Sequence, residues 1–521
     1  MNITPDCREI EALAASYPII PICREIFADV VTPITLLRKI AAISSQYYLL
    51  ESIEGGETWG RYSFLGYDPV LKVTCNDKIV TVHHFIGSGS SSPANAPLGT
   101  HTQTGANTQG DTSPQASPLP GDQIISTDRP YDVLRDILKD YRSPKLPGLP
   151  PFTGGFAGYF SYSMIGCAEP VLSIKKGSCN DFELMLFDTV IAYDHLKQKI
   201  DLIVNMKTDH VMENYGKACA KLESMAAMIA ENTPLKKSAV TETPHFRCSV
   251  TKEEFCSMVE KAKEYIVNGD IFQAVLSRQF SSEYRGSLLN AYRVLRTTNP
   301  SPYMVYMHMD GMEIMSTSPE TLVRLKDGRL TTFPVAGSKP RGKTAEEDDR
   351  LEKELLSDEK ELAEHNMLVD LGRNDLGKIS SFSTVEVTGY KMVHRYSKIM
   401  HICSQVESDI APGLDAFDAI EAVLPAGTLS GAPKIRACQI IEELEAEPRG
   451  IYGGALGYID FTGNMDTCIA IRMAVKHKGK VYVQAGGGIV ADSVPETEYE
   501  ESANKAKAVI RAIETAGEVN D

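Results

Sequence analysis

The most informative stretch of the chain is QAGGGIVADSVPETEYEESANKAKAVIRAIETA, residues 484–516. It enters as an alternating strand, passes through the glycines at 486–488, and continues as a helix after Pro495. On that helix Glu498 and Glu501 are three positions apart, so the two carboxylates share one face. The stretch predicts a strand that leads through an exposed glycine backbone into a helix carrying a carboxylate pair.

A second carboxylate pair occurs in ELAEHNMLVDLGRND, residues 361–375. If this segment is helical, Glu361 and Glu364 share a face and lie about 4.5 Å apart along the axis. Two such pairs brought together would form an oxygen-rich site that suits Mg²⁺. The alternative is that both pairs are solvated helix faces. Spacing alone favours that alternative, because glutamate pairs are common on helices.

Two further segments have features of an anion site. In PAGTLSGAPKIRACQII, residues 425–441, small residues around Thr428 form a tight loop before a helix, whose amides would suit a carboxylate. A loop that only turns the chain is the alternative. In CIAIRMAV, residues 468–475, Arg472 lies in an otherwise apolar predicted strand. A buried arginine needs an anion, so either a bound carboxylate or a structural salt bridge is expected.

Composition excludes several classes of function. The 521 residues carry a formal net charge of -16, which argues against nucleic acid or an anionic membrane surface as a partner. No apolar run approaches the roughly 20 residues of a membrane span, and the first residues do not resemble a signal peptide. The 11 cysteines include no CxxC pair, so we expect reduced thiols and a cytoplasmic protein. No serine-hydrolase elbow, phosphate loop or zinc spacing occurs.

The sequence predicts two domains. Residues 1–230 are rich in strand patterns, and the segment at about 87–123 has almost no charge and no aromatic residues. Such a segment cannot bury enough apolar surface to offset its ordering entropy, so we expect a disordered insertion there. The second domain, 246–521, begins with a helix marked by Thr251 and Glu254 at the spacing of a capping box.

Taken together, these segments resemble the chorismate-utilising enzymes. The matching motifs of the second half follow that family's order: FQAVLSR (272–278), SPE (318–320), FPVAGSKPRG (333–342), LAEHNMLVDLGRNDLGKI (362–379), MHICSQV (400–406), GTLSGAPK (427–434), RGIYGGALGY (449–458), DTCIAIR (466–472) and QAGGGIVADSVPETEYEE (484–501). In the first half LLES (49–52), GRYSFLG (60–66) and FTGGFAGYFSYSMIG (152–166) resemble the N-terminal domain of the family's anthranilate synthase component I branch. The resemblance implies an α+β fold with a β-sandwich core of two antiparallel sheets surrounded by helices, preceded by a β-rich regulatory domain.

The resemblance also implies roles for individual residues. It makes Glu320 the acid that protonates the departing 4-hydroxyl, and it implicates His401 in the later elimination of pyruvate. The metal positions, which would bind Mg²⁺ directly or through water, are Glu361, Glu364, Glu498 and Glu501. The substrate-contact positions are Gly337, Ser338, Thr428, Tyr452, Arg472, Gly486, Gly487 and Gly488. The family usually has threonine where this chain has Ser338, which keeps a hydroxyl group at that contact.

Two positions distinguish the reactions of the family. Aminodeoxychorismate synthases carry a lysine nucleophile where this chain has Ala336, and isochorismate and salicylate synthases carry a lysine base where it has Gln273. Loss of both lysines leaves ammonia as the nucleophile, with Gln273 among the catalytic positions. Aminodeoxychorismate synthase component I is the enzymatic alternative, disfavoured by Ala336. A protein that only senses tryptophan is the other alternative, disfavoured because the glutamates, Arg472 and His401 are all present.

The activity so implied is that of an anthranilate synthase large subunit, a Mg²⁺-dependent lyase of tryptophan biosynthesis that makes anthranilate and pyruvate from chorismate and ammonia. The sequence contains no Gly-x-Cys-x-Gly nucleophile turn, so the implied source of ammonia is a separate glutamine amidotransferase subunit, in a heteromer and most simply a heterotetramer. Tryptophan would act as the feedback inhibitor. The resemblance places its contacts at Ser52, Glu51, Arg61, Pro302, Tyr303 and Met304.

Overall fold

The computed structural model describes residues 3–52, 60–85, 121–231, 243–396 and 399–519. Most of the predicted insertion at 87–123 lies outside the described residues, and its end at Gln123 is the first residue of a short strand. Within the described ranges, no helix has the length and apolar character needed to cross a membrane.

The described residues form helices in both halves of the chain, between the strands of the two sheets. Their bounds are α1 Cys7–Ala14, α2 Pro33–Ile43, α3 Pro130–Lys139, α4 Ile165–Ala168, α5 Val211–Ala230, α6 Lys252–Val267, α7 Leu289–Thr298, α8 Ala345–Ser357, α9 Glu359–Gly377, α10 Ala416–Val423, α11 Lys434–Leu444 and α12 Pro495–Glu514. The predicted capping box at Thr251 is present, with both reciprocal hydrogen bonds to Glu254. The predicted helix after Pro495 begins at that proline, whose fixed φ suits the first helical position.

The strands form two large antiparallel sheets. Their bounds are β1 Ile3–Thr4, β2 Ile19–Phe27, β3 Gln46–Glu51, β4 Tyr62–Tyr67, β5 Leu71–Asn76, β6 Ile79–His84, β7 Gln123–Ser126, β8 Gly155–Phe160, β9 Phe182–Phe187, β10 Thr189–Asp194, β11 Lys199–Lys207, β12 Arg247–Cys248, β13 Gln273–Glu283, β14 Tyr303–Met309, β15 Met312–Ser318, β16 Thr321–Lys326, β17 Arg329–Thr332, β18 Val335–Pro340, β19 Glu386–Arg395, β20 Ile399–Asp409, β21 Gly431–Ala432, β22 Ala455–Asp460, β23 Met465–Ile469, β24 Met473–His477 and β25 Lys480–Ile489.

The first sheet has the strand order β1-β2-β11-β10-β4-β3-β14-β15-β24-β25-β13-β12, with β21 paired to β13. The second has the order β18-β20-β17-β16-β23-β22-β8-β9-β5-β6-β7, with β19 paired to β20. Side chains from both sheets, among them Tyr48, Phe187 and Ile314, form one buried apolar cluster between them. The predicted α+β fold with a sandwich of two antiparallel sheets is therefore confirmed.

Both sheets contain strands from both halves of the chain. In the first sheet β3 pairs with β14, and in the second β8 pairs with β22. Each joint is an uninterrupted antiparallel ladder, so hydrogen bonds run directly from the first half into the second. The division into a domain of residues 1–230 and one of 246–521 stays a prediction, and any movement between the two would have to bend these sheets.

Candidate active site

The chain crosses between the two sheets at two neighbouring places. It leaves β15 of the first sheet for β16 of the second at 319–320, and it leaves β23 of the second for β24 of the first at 470–472. The crossings are joined by backbone hydrogen bonds from Ile469 N to Glu320 O, 3.0 Å, and from Thr317 N to Arg472 O, 3.1 Å. Two predicted site residues, Glu320 and Arg472, are thereby held next to each other where the chain crosses between the sheets, and they form the centre of the candidate site.

Arg472 corrects an expectation from the sequence. The apolar run around it predicted one strand, but the structure breaks that run into β23 and β24 and places Arg472 in the turn between them. Its backbone is left-handed, with φ of 46°. The physical reason is that a run of apolar residues is compatible with one buried strand or with two buried strands in different sheets. Composition alone therefore does not reveal where the chain crosses from one sheet to the other.

The side chain of Arg472 bears on the choice between a structural salt bridge and a bound carboxylate. Within the described residues its guanidinium makes no hydrogen bond or ion pair, and the acid that acts on it electrostatically is Glu320. Burial lowers the pKa of Arg472 from its ordinary value, and Glu320 opposes that shift. A half-buried cation without such a partner favours the bound-carboxylate alternative, which stays a prediction.

Glu320 is an acid held in its protonated form. Its residue is 9% exposed, and Thr428 donates a hydrogen bond from Oγ1 to Oε1 at 3.0 Å. Burial raises the pKa of Glu320 to about 8, while Thr428 and the charge of Arg472 act in the opposite direction. Because the carboxyl keeps its proton at neutral pH, it has the form of a general acid.

His401 faces the same centre from β20. Its Nδ1 lies 3.1 Å from the carbonyl oxygen of Gly337, and since a carbonyl only accepts, Nδ1 carries the proton. Burial and then the charge of Arg472 lower the pKa of His401 to about 4. The imidazole is therefore neutral at physiological pH, with Nε2 in the accepting form. Ser338, whose hydroxyl the family resemblance assigns to substrate, pairs with His401 in the strand ladder.

Gly337 connects this centre to the glutamates. Its φ is 72°, and a Cβ placed there would lie 3.0 Å from Oε2 of Glu361 and 3.2 Å from Ile402. Any side chain at this position would meet both a backbone penalty and a steric one. Glycine at this position therefore lets β18, whose Gly337 carbonyl accepts the hydrogen bond from His401, pass directly beside the carboxylate of Glu361.

The four predicted metal residues converge from two helices. Glu361 and Glu364 lie on α9, and Glu498 and Glu501 on α12. Burial raises the pKa of Glu361, Glu364 and Glu498, and each is raised further by a neighbouring glutamate. Glu364 is affected by Glu501 of the other helix, which shows that the pairs act on each other. These shifts argue against a fully solvated helix face for Glu361, Glu364 and Glu498, whereas Glu501 is half exposed, and metal binding by the four stays a prediction.

Sequence reasoning missed a lysine among these carboxylates. Lys505 Nζ lies 2.8 Å from Oε1 of Glu501 and donates to the carbonyl oxygen of Gly486 at 3.1 Å. It follows Glu501 by four positions on α12, a spacing that places both on one helix face and was a usable signal. In the described part of the chain, no three acidic, histidine or cysteine side chains are close enough to hold a metal ion as they stand.

The three glycines at 486–488 bring the glutamates against bare backbone. A Cβ on Gly487 would lie 3.2 Å from Oε2 of Glu498, and one on Gly488 would lie 2.0 Å from Nε2 of Gln273. Gln273 is buried and hydrogen-bonds Glu364. Tyr452 is buried on the same side, where the Gly486 backbone hydrogen-bonds its hydroxyl group and burial raises its pKa. These contacts bring residues predicted for catalysis, substrate binding and metal binding next to one another, and their roles stay predictions.

A buried ion pair supports the site from behind. The guanidinium of Arg449 donates to both oxygens of Glu445, to Leu429 O at 2.6 Å and to Val275 O at 2.6 Å. Leu429 follows Thr428, and Val275 pairs with Gly488 across β13 and β25. One side chain thus ties the Thr428 loop to β13, the neighbour of the glycine strand, and no local sequence pattern predicts it.

The predicted tryptophan contacts lie elsewhere, along the joint of β3 and β14. Glu51 pairs with Met304 in that ladder, which places Ser52 at the end next to Pro302 and Tyr303. Glu51 itself accepts hydrogen bonds from Tyr292 at 2.7 Å and from Arg296, and Arg61 forms an ion pair with Asp194 at 2.8 Å. The two segments meet, and Glu51 and Arg61 have protein partners there. Their role towards a ligand stays a prediction.

Comparison with known proteins agrees with this geometry. The family model for chorismate binding enzymes matches residues 97–511, and the chain belongs to that family. A relative from Acetivibrio thermocellus named anthranilate synthase component 1 is 43% identical, over 99% of each chain. Another of that name, from Aquifex aeolicus, is 42% identical over 99% of each.

Solved structures give the same result. The crystal structure of anthranilate synthase component I from Streptococcus pneumoniae TIGR4 is 34% identical, covers 93% of this chain and 99% of that one, and superposes with a TM-score of 0.73. The menaquinone-specific isochorismate synthase from Escherichia coli shares the fold at 17% identity, with a TM-score of 0.64 over 97% and 98% of the two chains. The protein is a chorismate-utilising enzyme, and its full-length relatives carry the name anthranilate synthase component 1.

Proposed function

We propose that the chain is the large subunit of an anthranilate synthase, which converts chorismate and ammonia into anthranilate, pyruvate and water. The observation that carries the proposal is a protonated Glu320 beside an Arg472 that has no side-chain partner among the described residues. An acid that keeps its proton next to an anion-binding arginine suits removal of a hydroxyl group from a substrate with carboxylates. The names of the full-length relatives support the same activity.

In this proposal the enolpyruvyl carboxylate of chorismate binds Arg472. Tyr452 and the backbone at 486–488 line the same side, where the absence of side chains lets a substrate approach closely. Gly337 and Ser338 contact the substrate from β18, which pairs with the strand of His401, and Thr428 contacts it from the loop that bonds Glu320. Fixed donors of this kind hold the reacting atoms in place at little further entropic cost.

Two chemical steps follow. Ammonia adds at ring C2 while the 4-hydroxyl leaves, and Glu320 gives its proton to that hydroxyl so that water departs instead of hydroxide. In the second step the hydrogen at C2 is removed and the bond to the enolpyruvyl oxygen breaks, which releases pyruvate and makes the ring aromatic. We propose that His401 takes up that proton: its Nδ1 carries a hydrogen, so the unprotonated Nε2 can accept one.

The donor set fits Mg²⁺. Mg²⁺ commonly binds one or two carboxylates directly and completes its coordination shell with water and substrate oxygens. Four glutamates that do not by themselves supply a complete coordination shell are therefore compatible with Mg²⁺. Glu361, Glu364, Glu498 and Glu501 would hold the ion. When bound, it would orient the ring carboxylate and offset negative charge on the ring. Lys505 Nζ lies 2.8 Å from Oε1 of Glu501, so one positive charge already neighbours these carboxylates.

The choice of ammonia as nucleophile rests on two side chains. Ala336 is buried on β18 next to Gly337 and has no group that could attack the ring. Gln273 carries no useful basicity with which to activate water. Ammonia is nucleophilic without such help, and we propose that a separate glutamine amidotransferase subunit supplies it, in a heterotetramer in the cytoplasm.

We further propose that the chain acts in tryptophan biosynthesis and that tryptophan inhibits it. The inhibitor would bind where Ser52 meets Pro302, Tyr303 and Met304, in a regulatory domain of residues 1–230 joined to a catalytic domain of 246–521. Inhibition requires that the ligand bind two arrangements of the protein unequally. The β3 and β14 ladder is the element through which the two domains would be coupled.

The proposal is tested with the purified chain, chorismate and Mg²⁺. Ammonium salt should support formation of fluorescent anthranilate, whereas glutamine should support none until a glutaminase subunit is added. Glutamine-dependent turnover by the chain alone would contradict the proposed division of labour. Omission of Mg²⁺ with a chelator present is the matched control, and it should stop the ammonium reaction.

A further inference from the structure

Arg472 has an unusual backbone for a residue that must bind a substrate. It is a non-glycine residue with φ of 46°, a left-handed conformation that side chains disfavour. Such a conformation persists only where the surrounding structure overdetermines it. The direction in which its guanidinium points depends on this turn, so the contacts that fix the turn also fix the anion site.

One side chain bonds the turn. Ser316 donates from Oγ to the carbonyl oxygen of Ile471 at 2.9 Å, and this is the hydrogen bond its hydroxyl makes in the described structure. The next residue, Thr317, donates its backbone N–H to Arg472 O at 3.1 Å. Ser316 is fully buried and pairs with Met473 at the end of the β15 and β24 ladder. Two successive carbonyls of the turn are therefore held by two successive residues of β15.

The Ser316 hydroxyl bonds a carbonyl of the turn that the neighbouring backbone bonds do not reach. The neighbours of the turn are already joined by backbone bonds, such as Gly453 N to Ala470 O at 2.9 Å and Ile469 N to Glu320 O at 3.0 Å. These two bonds lie before the left-handed residue, and Arg472 O itself accepts the backbone bond from Thr317 N. The hydroxyl bonds the carbonyl of the peptide unit that leads into Arg472, where a change of torsion would rotate the arginine away from Glu320.

We propose that Ser316 is a positioning residue for Arg472. Its hydroxyl holds the left-handed turn, so that the guanidinium stays beside Glu320 and His401 and is ready for the substrate carboxylate. The inference rests on the proposed function, because it takes the ligand of Arg472 to be the enolpyruvyl carboxylate of chorismate. It adds to that function a residue that touches no substrate and acts through the backbone.

The test is a double-mutant cycle with Ser316→Ala and Arg472→Gln, assayed in the ammonium-driven reaction with chorismate as the varied substrate. Loss of one neutral hydrogen bond should raise KM for chorismate about fivefold, with kcat changed by less than about twofold. In the Arg472→Gln background, Ser316→Ala should add no further increase, because the group it positions is gone. Ser316→Cys keeps the shape of the side chain but has a weaker donor, so it should give an intermediate KM. This variant also keeps the test available if the alanine variant folds poorly.

Thr467→Val is the matched control. Thr467 is buried and donates from Oγ1 to Val323 O at 2.7 Å, so it too gives one hydroxyl to one carbonyl, in the second sheet. The Thr467→Val variant should have the KM of the wild type for chorismate, even if its melting temperature is lower.

Three results would overturn the inference: wild-type KM in Ser316→Ala, an equal rise in Thr467→Val, or effects of Ser316→Ala and Arg472→Gln that multiply. If Arg472→Gln itself has wild-type KM, the carboxylate-binding role in the proposed function fails and the inference falls with it. Wild-type KM in Ser316→Ala alone removes the inference and leaves the proposed function intact.

Discussion

Glu320→Gln should destroy the reaction and stabilise the protein. The amide has the shape of the protonated acid, and its oxygen can accept the hydrogen bond from Thr428. It cannot release a proton to the departing hydroxyl, so turnover should fall to near background. The gain in stability arises because the variant no longer keeps a buried acid that the unfolded chain would ionise.

The magnitude follows from the pKa of Glu320, which burial raises from 4.5 to about 8. One pKa unit corresponds to about 1.4 kcal/mol. Between these values the folded state holds a proton that the unfolded state loses, so the contribution of Glu320 to stability is full below about pH 4.5 and declines as the pH rises towards about 8. At pH 7 the glutamine variant should therefore have a free energy of unfolding higher by up to about 3 kcal/mol.

The assay is urea unfolding followed by circular dichroism, at pH 5 and at pH 8, on wild type and variant. The difference between the two proteins should be small at pH 5 and large at pH 8. Equal midpoints at pH 8 would refute the raised pKa, and an equal gain at both pH values would show that the stabilisation has another origin. Turnover close to that of the wild type would remove Glu320 from the role of acid.

Four other outcomes follow from the same geometry. The pH profile of kcat/KM should fall as the pH rises through about 8, because Glu320 then loses its proton; a profile flat to pH 9 would contradict this. Glu364→Gln and Glu501→Gln should each lower activity about 100-fold or more at ordinary Mg²⁺ concentration. The control is Glu500→Gln, which changes an exposed neighbouring residue and should leave activity unchanged. Wild-type turnover in the first two variants would mean that these glutamates bind no metal. Ser52→Phe should relieve inhibition in a titration of tryptophan against initial rate and leave the uninhibited rate largely intact, and equal inhibition of both proteins would remove the regulatory site. In Ala336→Lys the lysine should compete with ammonia or block the pocket and so lower the rate of anthranilate formation. An unchanged rate would show that residue 336 does not determine the product.

Local features of the site were predictable from the sequence because they depend on a few neighbouring residues. The helix after Pro495 and the capping box at Thr251 and Glu254 form as expected. The pairing of Glu498 with Glu501 on one face follows from helix geometry alone. Each of these needs only the preferences of adjacent positions and the helical repeat.

The features that give the site its chemistry depend on long-range packing. Nothing in the run around Arg472 marks the crossing between sheets, since the residues on either side of it, 468–471 and 473–475, are all apolar. The proton on Glu320 results from burial between elements far apart in the chain, such as β16 and the Thr428 loop. The Arg449 and Glu445 pair takes its importance from Val275 and Leu429, which no local pattern connects to it. Burial and sheet order therefore had to come from the structure.

The most direct test of the central claim is to supply the purified chain with chorismate, Mg²⁺ and ¹⁵N-ammonium and to analyse the products by mass spectrometry. The account predicts anthranilate one mass unit heavier than the unlabelled compound, formed together with an equal amount of pyruvate. Labelled aminodeoxychorismate without pyruvate, or unlabelled isochorismate or salicylate, would contradict it.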